Sequence, residues 1–397
     1  MNKYFVRSTT QKHLGTLLPA LSPVTTLYFS RTEPQLLIAS LPDQDVDRLL
    51  SEGAEVIPSR QYEPLPVIPV DFVYQPLEDH PLSLRDVLHH VRADEAWAQT
   101  TGAGVHVAII DTGLCGTMPE FPAIKRSPHS WVAPGLGSAW TDMQGHGSMT
   151  GCVATGTLAA GGRYNGVAPD STVISCKTTF DDTELYQIYD HLLQLVRNGI
   201  IGRLVVNNSY GAYQCDPPSI SLTDPFPSIV QRAIAEDVVV VFAAGNNHVV
   251  VCGKDGDECD PNSIWGVNSF DDVISVGTVN QDNRMDQPSA SGQGYSHRDS
   301  SRGPGQFAVR TIKPDCVAPT YGEVMWGCGY TAMEWWGTSG AAPQVAGLAA
   351  LLLAKDPTLT PRQIQDTIVQ TCAPLPLGPT CAGAGVIDCQ AAVSAVP

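Results

Sequence analysis

The chain has 397 residues, of which 43% are hydrophobic and 16% charged, so it can bury a large core and is not globally disordered. Its formal net charge of −17 disfavours binding to nucleic acid or to anionic membranes, and we expect neither as a partner. No apolar run reaches about 18 residues, so the sequence predicts no membrane-spanning segment.

The N-terminal residues lack the pattern of a secretory signal. Their apolar patch at residues 14–21 is short, Pro19 interrupts it, and no small-residue cleavage site follows. We therefore expect a cytoplasmic protein rather than a secreted one. The 11 cysteines form no CxxC pair, which favours scattered buried thiols over a disulfide framework. In an oxidising compartment, Cys252–Cys259 and Cys372–Cys381 would be the pairs that close small loops.

The first 75 residues predict a small α+β domain. Short apolar and β-branched runs are typical of strands, and one stretch has helical apolar spacing. The predicted elements are strands at residues 3–7, 25–30, 35–40 and 55–58 and a helix at residues 43–52. The Pro-rich stretch at residues 62–70 favours an extended linker. We therefore divide the chain into residues 1–75 and residues 76–397.

Continuous apolar runs alternate with helix-like segments in the second region. Such runs are typical of strands buried on both faces, so we predict an α/β fold with a mainly parallel sheet and helices on both faces. Functional residues gather at the carboxyl ends of strands in such sheets. The predicted strands are residues 105–111, 172–177, 204–209, 238–244 and 273–276, and the predicted helices include residues 183–198 and 228–236.

Three polar residues stand where this fold concentrates chemistry. Asp111 ends the first of these strands, and His146 lies between two glycines that allow a tight backbone bend. Ser339 lies in the sequence GTSGAAP, at the start of a long apolar helix. Each residue alone has an ordinary structural explanation, as a turn aspartate, a loop histidine or a helix N-cap serine.

Taken together, the motifs IIDTG, GHGSMTG and GTSGAAP resemble the three signature blocks of the subtilase family, in the same order. The resemblance covers about residues 94–375 and implies a subtilisin-like fold. It implies that Ser339 is the nucleophile, that His146 transfers its proton and that Asp111 fixes the tautomer of His146. The sequence AAGN resembles a further block, which implies that Asn246 donates to the oxyanion.

The resemblance also implies a substrate site. Ser209, Tyr210 and Gly211 match the family's strand that pairs with the substrate backbone, and Ala244 and Gly245 precede the oxyanion donor. We expect these five residues to bind a peptide or protein substrate. The implied chemistry needs no cofactor and no metal ion.

Residues 1–75 resemble the propeptide domain of many subtilases in size and in strand–helix order. This likeness implies an intramolecular inhibitor that is removed by self-cleavage near residues 63–80. An unrelated, permanent accessory domain is the alternative, because no diagnostic motif marks this region.

Two acidic stretches are open to more than one interpretation. The stretch at residues 181–184 would favour basic substrate side chains, but a helix N-terminus with an aspartate cap is the favoured interpretation. The stretch at residues 252–262 lacks EF-hand spacing, so we favour an acidic surface loop over a structural calcium site.

The sequence thus predicts a serine endopeptidase that works through an acyl-enzyme and processes itself. One alternative is a peptide ligase or macrocyclase, in which an amine replaces water in the second step. Another is a catalytically silent peptide-binding module, against which the intact set of four site residues argues.

Overall fold

The computed structural model of the chain describes residues 2–9, 11–18, 21, 27–64, 82–212, 215, 220–259, 262–288 and 295–397. Its first part is an antiparallel sheet in the order β2-β3-β1-β4. The elements of this part are β1 (Asn2–Arg7), α1 (Gln11–Leu17), β2 (Leu27–Phe29), β3 (Leu36–Leu41), α2 (Asp43–Ser51) and β4 (Glu55–Pro58). The four strands and the helix α2 agree with the predicted elements, although residues 25–26 of the second predicted strand lie outside the described residues.

Helix α1 was not predicted, because Gly15 in its middle lowers helix propensity. Its Leu14 and Leu17 are nevertheless buried in one small core with Val6 and Leu49. Tertiary packing of this apolar face stabilises a helix that its own sequence specifies poorly.

The larger part is built on a parallel sheet in the order β13-β12-β11-β9-β6-β8-β7. Every neighbouring pair in it is parallel. The strands are β6 (Val105–Asp111), β7 (Trp131–Val132), β8 (Thr172–Lys177), β9 (Arg203–Asn208), β11 (Val239–Ala243), β12 (Ile274–Val279) and β13 (Cys316–Pro319). The predicted subtilisin-like α/β fold is confirmed.

Helices cover both faces of this sheet, as predicted. Val107 and Ile109 of β6 pack in one core, and the alternate residues Ala108 and Ile110 pack in the other. The first core contains α5 (His146–Thr155) and α8 (Gly337–Lys355), and the second contains α6 (Asp182–Arg197) and α7 (Pro225–Ala235). Burial on both faces explains the continuous apolar runs within these strands.

The remaining elements surround this sheet. They are the helices α3 (Leu84–His90), α4 (Ala93–Ala96), α9 (Pro361–Thr371), α10 (Pro379–Ala382) and α11 (Cys389–Ala395), the 3₁₀ turns Ala123–Lys125, Gly266–Ser269 and His297–Asp299, and the strands β5 (Glu63–Pro64), β10 (Tyr210–Gly211), β14 (Gly322–Trp326) and β15 (Gly329–Met333). Strands β14 and β15 form a hairpin, and β5 pairs with β10. Helix α8 is long and apolar enough to cross a membrane, but 94% of its most apolar stretch is buried inside the fold, as in a core helix.

Two disulfides correct the prediction of unpaired thiols. Cys115 bonds to Cys328 and Cys259 bonds to Cys381, across sequence separations of 213 and 122 residues. The short-range loops predicted from Cys252–Cys259 and Cys372–Cys381 are therefore wrong, because folding brings distant cysteines together and sequence proximity does not. The prediction of buried thiols holds for four other cysteines, namely Cys152, Cys176, Cys316 and Cys389.

Candidate active site

A buried carboxylate–imidazole pair lies at the carboxyl edge of the central strand. Asp111 is the last residue of β6 and His146 is the first residue of α5. The Nδ1 atom of His146 lies 2.8 Å from Oδ1 of Asp111 and 3.0 Å from its Oδ2. Both residues are buried. A carboxylate on Nδ1 favours the tautomer in which Nε2 can accept a proton, which is what a general base requires.

Asp142 holds the loop that positions His146. Its carboxylate accepts hydrogen bonds from the Gly145 amide at 2.9 Å and from the Ser148 amide at 2.8 Å. Thr112 donates its hydroxyl to Asp142 at 3.0 Å and accepts the Gly147 amide at 2.9 Å. Sequence reasoning missed Asp142, although an aspartate four residues before His146 was a local signal for such a cap.

Trp326, which belongs to the β14–β15 hairpin, packs against His146. Its ring lies 6.3 Å from the His146 ring, edge to face at 85°. Gly145 has a φ of +93°, and a Cβ there would lie 2.5 Å from the Trp326 indole nitrogen. Glycine is therefore required before His146 both by the backbone and by the indole. The disulfide Cys115–Cys328 joins this hairpin to the loop after Asp111.

Ser339 lies in the first turn of α8 and is fully buried. Its Oγ donates to the Ser209 carbonyl at 3.4 Å, and the Ser209 hydroxyl donates to the Ser339 carbonyl at 3.0 Å. The start of a helix carries unpaired amides and the positive end of the helix dipole. Negative charge that develops next to Ser339 is therefore stabilised by its surroundings.

Asn246 follows β11 and is tied to the same helix start. Its Oδ1 accepts the Thr338 amide at 3.1 Å and the Thr338 hydroxyl at 2.8 Å. A Cβ on Gly337 would lie 2.8 Å from the Asn246 Nδ2, so the donor end of this amide faces the turn before Ser339. The sequence-predicted donor thus lies beside the sequence-predicted nucleophile.

Ala244 and Gly245 form the turn between β11 and Asn246. The Gly245 amide donates to the Thr338 hydroxyl at 3.3 Å, and its φ of +119° requires glycine. Their role in substrate binding stays a prediction.

The chain's own residues occupy the predicted substrate strand. Strand β10 pairs antiparallel with β5, so that Tyr210 faces Pro64 and Gly211 faces Glu63. Residues 60–64 (the docked segment) also pair with residues 180–181, which form the stretch before α6. There Tyr62 donates its amide to the Phe180 carbonyl at 2.8 Å. The docked segment therefore pairs with β10 through Glu63 and Pro64 and forms an isolated bridge from Gln61 to Asp181, whereas the sequence predicted an extended linker from residue 62. Residues 65–70 of that linker lie outside the described residues.

The acidic stretch before α6 caps a helix, as the favoured interpretation predicted. Asp181 accepts the Thr183 amide at 3.0 Å in the N-cap position. Asp182 is buried, and its Oδ1 accepts the Ser59 hydroxyl at 2.9 Å. Burial raises the pKa of Asp182 to about 7.

The raised pKa of Asp182 has a consequence for stability. Folding favours its protonated form, so its contribution weakens as the pH rises from the ordinary value of 3.8 towards about 7. We expect Asp182→Asn to gain stability relative to the wild type over this range and to differ little below it. Chemical denaturation of both proteins across this pH range measures the difference, and the exposed Asp282→Asn serves as control. A difference independent of pH would contradict the prediction.

The second acidic stretch is held by arginines. Arg302 donates to the carbonyls of Gly256 and Glu258, and Arg298 lies within 4.0 Å of Asp255 and Asp257. These groups fit an acidic loop, the favoured interpretation, although residues 260–261 lie outside the description. Across the described part of the chain, no group of three or more His, Cys, Asp or Glu side chains could hold a metal ion.

A covered parallel sheet with a buried Asp–His pair and a serine at the start of a buried helix defines a serine peptidase of the subtilisin type. Residues 102–385 match the model of the Subtilase family, so the chain belongs to this family. It is a subtilisin-like serine peptidase.

Proteins of similar sequence agree with this assignment. The chain is 30% identical over 323 residues to Mycosin-4 of Mycobacterium tuberculosis, covering 76% of this chain and 67% of that protein. It is 31% identical over 301 residues to Subtilisin DY of Bacillus licheniformis, covering 72% and 90%.

Solved structures share the fold. Fervidolysin from Fervidobacterium pennivorans superposes with a TM-score of 0.70 at 19% identity, over 100% of this chain and 61% of that one. MycP1 from Mycobacterium smegmatis superposes with a TM-score of 0.56 at 23% identity, over 84% and 88%.

The prediction of a cytoplasmic location is wrong. The relatives include two mycosins, and a similar solved structure is that of MycP1 from the ESX-1 type VII secretion system. The prediction rested on the lack of a recognisable signal, whereas the structure contains the disulfides Cys115–Cys328 and Cys259–Cys381. Disulfides are rare in cytosolic proteins because thiols are kept reduced there.

Proposed function

We propose that the chain is a serine endopeptidase in which Asp111, His146 and Ser339 form the catalytic triad. His146 accepts the proton of Ser339 Oγ as it attacks the peptide carbonyl and then delivers it to the leaving amine. Water hydrolyses the acyl-enzyme in the second step. The observation that carries this proposal is the buried contact of 2.8 Å between His146 Nδ1 and Asp111 Oδ1.

Charge on the attacked carbonyl oxygen is stabilised by two donors. These are the Asn246 side-chain amide and the Ser339 backbone amide at the start of α8. The contacts of Asn246 Oδ1 with Thr338 support this role, because they leave the amide rigid and its donor end beside the helix start. Rigid donors need no reorganisation when the charge develops.

Residues 1–75 act as an intramolecular inhibitor in this proposal, and residues 76–397 form the catalytic domain. The position of the docked segment between β10 and the stretch before α6 supports this role, because a substrate backbone would need the same hydrogen bonds. Self-cleavage near residues 63–80 would then release the inhibitor; most of these residues lie outside the described part of the chain.

A second contact surface supports the docking of this region on α6. Asp190 is buried and accepts the Arg31 amide at 2.7 Å, the Thr32 amide at 2.9 Å and the Tyr28 hydroxyl at 2.8 Å. A buried carboxylate that is bound by donors from the N-terminal sheet and its loop costs free energy when these donors leave.

Intact-mass spectrometry tests the proposal. We expect one fluorophosphonate adduct on the purified chain once self-cleavage has released its N-terminal region, and peptide products whose summed mass exceeds that of the parent peptide by one water. Products with no added water would instead indicate peptide ligation or cyclisation. A chain that shows neither adduct nor cleavage, before or after loss of its N-terminal region, would be a silent binding module and would refute the proposal.

A further inference from the structure

The docked segment presents two side chains to separate sites on the catalytic part of the chain. Tyr62 is 3% exposed, and its ring lies edge to face with Phe226 at 5.4 Å and with Tyr210 at 6.2 Å. Phe180 closes the same cluster, 5.5 Å from the Tyr210 ring. Tyr62 therefore fills an enclosed aromatic pocket. An aromatic side chain of a bound peptide can take the same place.

Two residues before Tyr62, Arg60 contacts an aspartate at the start of a different helix. Its Nη1 lies 2.6 Å from Oδ2 of Asp224, which is the N-cap of α7. The side chains are 27% and 13% exposed. A partly buried carboxylate that loses its cation is left with an uncompensated desolvation cost, so it favours another cation in the same place.

The register connects these two sites with the nucleophile. Ser339 Oγ contacts the carbonyl of Ser209, and Ser209 precedes the residue that faces Pro64. A peptide on the path of the docked segment therefore presents to Ser339 the residue after its Pro64 equivalent. The residue three positions before that one takes the place of Tyr62. The residue five positions before it takes the place of Arg60.

We propose that Asp224 is a specificity determinant that selects peptide substrates with an arginine two residues before an aromatic residue. This inference rests on the proposed endopeptidase function and names its substrate class. The docked segment is then a copy of the substrate, and the same two contacts serve inhibition and recognition. The chain's net charge of −17 further favours the approach of cationic peptides.

The test uses the full chain carrying Arg60→Ala, which frees Asp224 from its internal partner and weakens the docked segment, so that a peptide competes with it for β10. Two peptide p-nitroanilides are compared, Arg-Gln-Tyr-Glu-Pro-Leu and the same sequence with alanine in place of arginine. We expect the arginine peptide to have a KM about 10-fold lower, with kcat within about twofold, because the ion pair forms equally in the ground and transition states. Adding Asp224→Asn is expected to abolish the difference.

Asp388→Asn is the matched control. Asp388 is also a helix N-cap, for α11, and it is also paired with an arginine, Arg92, at 2.8 Å with 17% of its side chain exposed. This variant is expected to keep the 10-fold preference. Tyr62→Ala in place of Arg60→Ala gives an independent background, and melting temperatures verify that each variant is folded.

Equal KM values for the two peptides in both backgrounds would overturn the inference while hydrolysis itself upheld the proposed function. A preference that survived Asp224→Asn would also overturn it. If neither peptide were cleaved and no fluorophosphonate adduct formed, the proposed function would fail and the inference with it.

Discussion

Replacing Ser339 with alanine is expected to lower kcat about 10⁶-fold, the size of the loss known when the nucleophile of a subtilisin is removed. In the proposed mechanism this hydroxyl forms the acyl-enzyme, so what would remain is binding and oxyanion stabilisation. Stability is expected to change little, because alanine fits the same space with one atom fewer and the hydrogen bond from Ser339 Oγ to the Ser209 carbonyl is long, at 3.4 Å. Steady-state kinetics on a peptide p-nitroanilide and a thermal melt measure both quantities.

Two controls make this result specific. Ser394→Ala changes an exposed serine near the C-terminus and is expected to leave kcat and the fluorophosphonate adduct unchanged. Ser339→Ala is expected to lose the adduct entirely and, if the chain processes itself, to retain its N-terminal region. Residual activity above about one per cent, far more than non-nucleophilic catalysis supplies, would show that another group attacks the carbonyl.

Replacing Asp111 with asparagine is expected to lower kcat about 10⁴-fold, the loss known for the same change in another triad protease. Asp111 is buried and accepts the Nδ1 proton of His146 at 2.8 Å, which keeps the proton off Nε2, the atom that acts as the base in the proposed mechanism. An asparagine amide can donate to Nδ1, which favours the opposite tautomer and places the proton on Nε2. Single-turnover kinetics with a peptide ester and a peptide amide measure the loss.

The surface pair of His89 and Asp94 is a matched control. Its Nδ1–Oδ2 distance is also 2.8 Å, but the two side chains are 74% and 39% exposed. Asp94→Asn is expected to lower the pKa of His89, which the Asp94 hydrogen bond now raises, and to leave kcat unchanged. Equal kinetic effects of Asp94→Asn and Asp111→Asn would refute a catalytic role for the buried pair.

The parallel sheet was predictable because its strands are buried on both faces. The predicted strands at residues 105–111 and 172–177 coincide with Val105–Asp111 and Thr172–Lys177, and the strand predicted at residues 204–209 is shifted by one residue from Arg203–Asn208. Two-sided burial selects continuous apolar runs, which a local pattern reveals. The family motifs also predicted the neighbours that the structure brings together, namely Asp111 with His146 and Asn246 with the turn before Ser339.

The contacts around these motifs were not predictable in the same way. Trp326 contacts His146 from 180 residues further along the chain, and no spacing rule connects these two residues. Asp142, by contrast, lies four residues before His146 and had a local signal that was missed. The predicted cysteine pairs were wrong because the cysteines that bond lie far apart in sequence. The cytoplasmic assignment failed because a missing signal says little about the environment in which the folded enzyme works.

By itself, the sequence determined five of the seven strands of the parallel sheet, the parallel class of that sheet and the residues of the proposed triad, since each depends on a local pattern or a short motif. Only the tertiary structure decided which cysteines pair, how the docked segment lies against β10 and which carboxylates contact it. Arg60 and Asp224 are 164 residues apart in sequence and 2.6 Å apart in the fold. Such contacts depend on how whole elements pack, and no local periodicity encodes them.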